Sequence, residues 1–64
     1  MIELTRLNKT PFVLNCDLIE TMEAKPDTTI KLNNGTLYIV RESVEEVVAA
    51  TVRYKRSLFE GILG

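Results

Sequence analysis

An α+β domain is the fold the sequence predicts: a small antiparallel β-meander of four to five strands with one C-terminal α-helix. Three observations predict it. Short apolar segments separated by polar turn residues fill the chain as far as Arg41. Asn34-Gly35 lies between two of those segments, and Asn-Gly between apolar runs is the strongest short-range hairpin signal. Ser43 with Glu46 three residues later makes a capping box, and apolar residues at spacings of three and four follow it.

Ile2 to Leu7 reads as the first strand, with Ile2 and Leu4 on one face and Glu3 and Thr5 on the other. Asn8-Lys9-Thr10 is a turn, and Pro11 suits the beginning of a second strand rather than its middle. Phe12-Val13-Leu14 continues that strand until Asn15-Cys16-Asp17 breaks it. Leu18 to Ala24 is a third extended segment, with a short helical turn around Asp17 to Ile19 as the alternative. Lys25-Pro26-Asp27 turns the chain again.

Thr28 to Asn33 and Thr36 to Arg41 flank Asn34-Gly35. A type I′ turn requires positive φ at both central residues and sets the register. Asn33 then faces Thr36, Leu32 faces Leu37, Lys31 faces Tyr38, Ile30 faces Ile39 and Thr29 faces Val40. The expected core face carries Leu32, Leu37, Ile30 and Ile39. The opposite face carries Lys31, Tyr38, Thr29 and Val40, and its half-exposed Tyr–Val patch reads either as ordinary surface or as a contact site for a second chain.

In the helix, Glu45 and Glu46 lie where the positive end of the dipole favours them. Val44, Val47, Val48, Thr51, Val52, Leu58 and Phe59 make one apolar stripe along about four turns. Gly61 is the expected stop. Arg53, Lys55 and Arg56 then occupy the last turns, where cations complement the negative dipole end.

The 64 residues make one domain spanning the whole chain, 1–64. Hydrophobic residues make up 45% and charged residues 27%, with a net charge of -1, which is globular rather than disordered or polycationic. The chain has no histidine and one cysteine, Cys16, which removes the commonest general base and any intrachain disulfide or thiolate cluster. Cys16 has no evident base beside it to make it a nucleophile, so a small buried residue is the plainer reading. The acidic pairs Glu20 with Glu23 and Glu45 with Glu46 lack the cleft that would separate their environments for acid–base work. Neither a signal-peptide pattern nor an apolar run near the roughly 20 residues that span a bilayer is present. A cytoplasmic non-enzyme without cofactor or metal is the expectation.

Met1 to Asn8, Phe12 to Asn15, Asp17 to Glu23, Pro26 to Thr28, Leu32 to Gly35, Glu42 to Val47 and Tyr54-Lys55 together resemble the small flagellar FlbD family, which includes the SwrD-like swarming motility proteins. (A larger transcriptional regulator that shares the name is unrelated.) Order and spacing agree from residue 1 to about residue 56. Family members often carry Ala or Pro near position 16, where this chain has Cys16, and their tails are more charged than Ile62-Leu63. The resemblance implies a cytoplasmic protein of the bacterial flagellum, outside the filament, rod and hook, that promotes swarming and motor torque through the ion-driven stator units. It implies no catalytic or cofactor-binding residues, and motor or stator proteins as partners.

The candidate contact residues are Lys31, Tyr38 and Val40 on the outer hairpin face, with Arg6 and Arg41 beside them. The alternative function is a small nucleic-acid-binding regulator of flagellar genes, suggested by Arg53-Tyr54-Lys55-Arg56, where an aromatic alternates with cations. A sequence pI near 5.3 weighs against it. Val13, Tyr38 and Val40 cannot all reach one core, and Ile62 and Leu63 lie beyond the expected helix stop. That surplus of apolar surface predicts a homo-oligomer, formed by edge-strand pairing or sheet packing.

Overall fold

The computed structural model describes residues 1–63. Five strands and one long helix follow each other in the order β1 (Ile2–Thr5), β2 (Pro11–Leu14), a 3-10 turn (Cys16–Leu18), β3 (Ile19–Ala24), β4 (Thr28–Leu32), β5 (Leu37–Val40) and α1 (Val44–Leu63). The side chain of Leu63, half of the expected apolar tail, lies outside the described residues. The strands form two antiparallel sheets, β1-β2 and β3-β4-β5. They meet where Arg6 bridges Val40 and where the Arg41 N–H donates to the Thr5 carbonyl at 2.8 Å.

The first hairpin follows its alternation. Ile2 and Leu4 are buried, and so is Leu14 of β2, while Glu3 and Val13 point outward. The strand is shorter than Ile2 to Leu7, because a turn begins at Arg6: the Lys9 N–H donates to the Arg6 carbonyl at 2.9 Å. Lys9 has φ 72°, a left-handed conformation in which a residue with a Cβ is strained. Pro11 opens β2, where its missing N–H interrupts no interior ladder.

Asn15 caps the 3-10 turn, its side chain accepting from the Asp17 N–H at 3.1 Å. The helical alternative at this point is therefore the one realised, over Cys16–Leu18, and the strand starts at Ile19. The pairing of β3 with β4 shifts between Ile19 and Thr21. That bulge is why Ile19 and Met22, three residues apart, are both half-buried against the core.

The β4-β5 register differs by one residue from the expected one. Thr28 pairs with Val40, Thr29 with Ile39, Ile30 with Tyr38 and Lys31 with Leu37. The Leu32 N–H donates to the Thr36 carbonyl at 2.9 Å, and the Gly35 N–H donates to the Leu32 carbonyl at 3.0 Å. The loop is thus three residues, Asn33-Asn34-Gly35, and among the described residues of this loop only Gly35 has positive φ, at 89°. This is a turn followed by one left-handed residue, the second common hairpin connection, rather than a type I′ pair. A slip of one residue turns every β5 side chain over. Tyr38 and Val40 face inward with Thr28, Ile30 and Leu32, while Leu37 and Ile39 are 61% and 47% exposed.

The helix begins as expected. The Glu46 N–H donates to Ser43 Oγ at 3.1 Å, and the Ser43 N–H donates to Glu46 Oε1 at 3.2 Å. Two of its features are corrections. Gly61 does not stop it, because glycine in a helix costs only about 1 kcal/mol and the chain continues helical to Leu63. Arg53, Lys55 and Arg56 therefore lie in its middle, and its last turn holds no cation. The apolar positions also divide into two faces. Val47 is fully buried, with Ala50 and Tyr54 packed beside it against the sheets. Val48 and Val52 are about half exposed, Phe59 is 62% and Ile62 is 83% exposed. The core is Ile2, Leu4, Leu14, Cys16, Ile30, Leu32, Val40 and Val47.

Candidate interaction surfaces

Of the five candidate contact residues, the register separates Lys31 from Tyr38 and Val40. Val40 is 1% exposed, so its side chain is a core element that no partner reaches while the fold is intact. Lys31 lies on the outer face of the three-stranded sheet, where its Nζ is 3.8 Å from Glu20 Oε1. Both side chains are about half exposed, and such pairs contribute little to stability. The apolar residues beside Lys31 are Leu37 and Ile39. Sequence reasoning missed that pair because it placed the turn one residue out.

Arg6 and Tyr38 do come together, around a residue that was not singled out. Phe12 and Tyr38 stack with ring centroids 5.1 Å apart and an interplanar angle of 26°. The Arg6 guanidinium lies 4.4 Å from the Phe12 centroid and 5.4 Å from that of Tyr38. A cation over two ring faces is attracted by their quadrupoles. Inward-facing Tyr38 meets inward-facing Phe12 across the junction of the two sheets, and Arg6 covers the pair from the end of β1. The result is a half-buried aromatic platform with an exposed cation on it. The only signal of it in the sequence is the parity of positions 6, 12 and 38 once the register is correct.

Arg41 lines a shallow depression of about 300 Å³ with Thr5, Glu42 and Glu46. Here the Thr5 N–H donates to Glu42 Oε1 at 2.9 Å. Burial works to raise the Glu42 carboxyl, but the hydrogen bonds from Thr5 and from its own backbone, with the nearby Arg41 charge, outweigh it and hold the group below its ordinary value. This carboxylate closes the seam between β1 and the helix cap. Its hydrogen-bond partners are structural.

The third surface is the outer face of the helix. Val48 and Val52 form one wall of an apolar groove of about 210 Å³, and Cys16, Ile19 and Met22 form the other. Thr51 lies between, its hydroxyl donating to the Val47 carbonyl at 2.9 Å. Lys55 donates to Asp17 at the foot of the groove. That hydrogen bond, with the opposite charge, lowers the Asp17 carboxyl and raises the Lys55 ammonium. Beyond Lys55 every described side chain as far as Ile62 is exposed.

Arg53, Tyr54, Lys55 and Arg56 do not form one face, because consecutive helix positions are about 100° apart. Tyr54 packs against the core, Lys55 is held by Asp17, and Arg53 lines a separate depression with Met1, Ile2 and Glu3. Among the described residues no three potential metal ligands converge, and no helix is long and apolar enough to cross a membrane.

No curated protein and no solved structure matches the chain. A family model does, over residues 1–59, and it describes FlbD, flagellar and swarming motility proteins. It takes in both sheets, the capping box and most of the helix. The chain therefore belongs to the FlbD family of flagellar and swarming motility proteins.

Proposed function

We propose that the protein is a non-enzymatic, cytoplasmic accessory of the bacterial flagellum, peripheral to its base, that supports swarming and raises motor torque by binding motor or stator proteins. The family match over residues 1–59 carries this reading. The form of the molecule supports it: its distinctive features among the described residues are surfaces. The platform of Arg6, Phe12 and Tyr38 is the contact we assign. It joins an exposed guanidinium to aromatic faces, the residue types that dominate interface hot spots.

The test is deletion and complementation. A strain lacking the protein is expected to spread less on swarm plates while building flagella in normal number. Arg6→Ser with Tyr38→Phe keeps the apolar packing and removes the cation and the hydroxyl, and it should fail to restore spreading. Full restoration by that variant would remove the platform as the contact. Loss of flagella in the deletion strain would move the protein to assembly or gene expression.

A further inference from the structure

We infer that the outer face of α1 is occupied by a second copy of this chain, in a two-fold antiparallel dimer. In it, Phe59 and Ile62 of each copy sit against the groove between β3 and α1 of the other. The inference rests on the surface itself and stands apart from the motility reading.

The helix carries two apolar faces and the sheets cover one. A 20-residue helix is about 30 Å long, whereas the strands beneath it have four to six residues. Its last turns therefore extend past the sheets, and Leu58, Phe59 and Ile62 are 49%, 62% and 83% exposed. Val48, Val52, Lys55, Phe59 and Ile62 recur at spacings of four, three, four and three, the seam that faces a partner helix in a coiled coil. The polar member of that seam, Lys55, is already held by Asp17 of its own chain.

The two halves of this surface fit each other. The first half is concave and apolar, the groove lined by Cys16, Ile19, Met22, Val48 and Val52. Its volume of about 210 Å³ is below the roughly 300–1,000 Å³ of small-molecule sites. The second half is convex and apolar. A two-fold axis across the seam sets each convex half on the other's groove, since in an isologous contact residue i meets j and j meets i. A parallel pairing would set Phe59 beside Phe59 and leave both grooves open.

Area agrees with this arrangement. With roughly 150–200 Å² for a side chain of this size, Val48, Val52, Leu58, Phe59 and Ile62 expose about 500 Å² per copy. Full burial of these side chains in both copies would remove about 1,000 Å² from water, the lower limit of a specific interface.

The test is mass by light scattering and sedimentation from low to high micromolar concentration. The full chain is expected to reach twice its 7.3 kDa mass. Phe59→Glu should raise the dissociation constant by roughly a hundredfold and leave the circular dichroism unchanged, since Phe59 is 62% exposed. Leu37→Ser with Ile39→Thr, on the far sheet face, should leave the dimer intact. A monomer at every concentration would overturn the inference and assign the face to another protein. A dimer broken by the Leu37/Ile39 variant but not by Phe59→Glu would also overturn it, in favour of sheet packing.

Discussion

Glu42 is the residue on which three elements converge. It precedes the helix cap, follows β5 and accepts from the Thr5 N–H of β1. Its carboxyl is held below its ordinary value of 4.5, against the effect of burial, by those hydrogen bonds. A group depressed in the folded state contributes stability that is present above its unfolded pKa and is lost as the pH falls through the folded one. Stability should therefore fall as acid is added from about pH 5 to pH 3. Glu42→Gln should flatten that limb while changing stability near pH 7 by about 1–2 kcal/mol. Asp17 is also held low, by Lys55, so the acid limb should flatten only in part. Urea unfolding at a series of pH values measures both. An unchanged slope in the variant would mean that the Thr5 contact does not form in solution. None of this was legible in the sequence, where Glu42 and Thr5 are far apart and nothing marks them as a pair.

At the scale of the element, local signals and their limits are easy to separate. The capping box was legible because both of its hydrogen bonds join residues three apart. The hairpin was legible as a hairpin, but its register was not. Asn-Gly suits both a two-residue loop and the last two positions of a three-residue loop. The choice is made by contacts remote in sequence, the stack of Tyr38 on Phe12 and the burial of Val40 in the core that Leu4 shares. The two loops predict different mutational costs. Gly35→Ala should destabilise by about 1–2 kcal/mol, because alanine must adopt a left-handed φ. Asn34→Ala should cost well under that, through loss of its bond from the Thr36 N–H alone. Equal, large losses at both positions in thermal unfolding would restore the type I′ turn. The helix offers a parallel contrast. Val47→Ala empties a fully buried site and should cost about 2–3 kcal/mol. Val48→Ala, one position on and 46% exposed, should cost less than about 1 kcal/mol in dilute monomer. The sequence merged these two faces into one stripe because both recur at helical spacing, and only the sheets' position tells them apart.

For the whole molecule, the α+β class and the order of its elements were legible, as was the family, since both depend on patterns spread along the chain. The candidate contact surface was legible only in part. Arg6 and Tyr38 meet as one feature, whereas Val40 went to the core and Lys31 to the opposite face. A chain of this length buries only about 60% of its unfolded surface, and this one still leaves ten large hydrophobic side chains exposed among the described residues. Surfaces of that kind suit a molecule whose work is contact, as the proposed role requires. The most direct measurement is torque in tethered cells of a strain lacking the protein, with flagella counted in the same cells and the protein resupplied from an inducible promoter. Reduced torque at normal flagellar number, rising again with induction, is the predicted result. Unchanged torque with fewer flagella would contradict the account and place the protein upstream of the working motor.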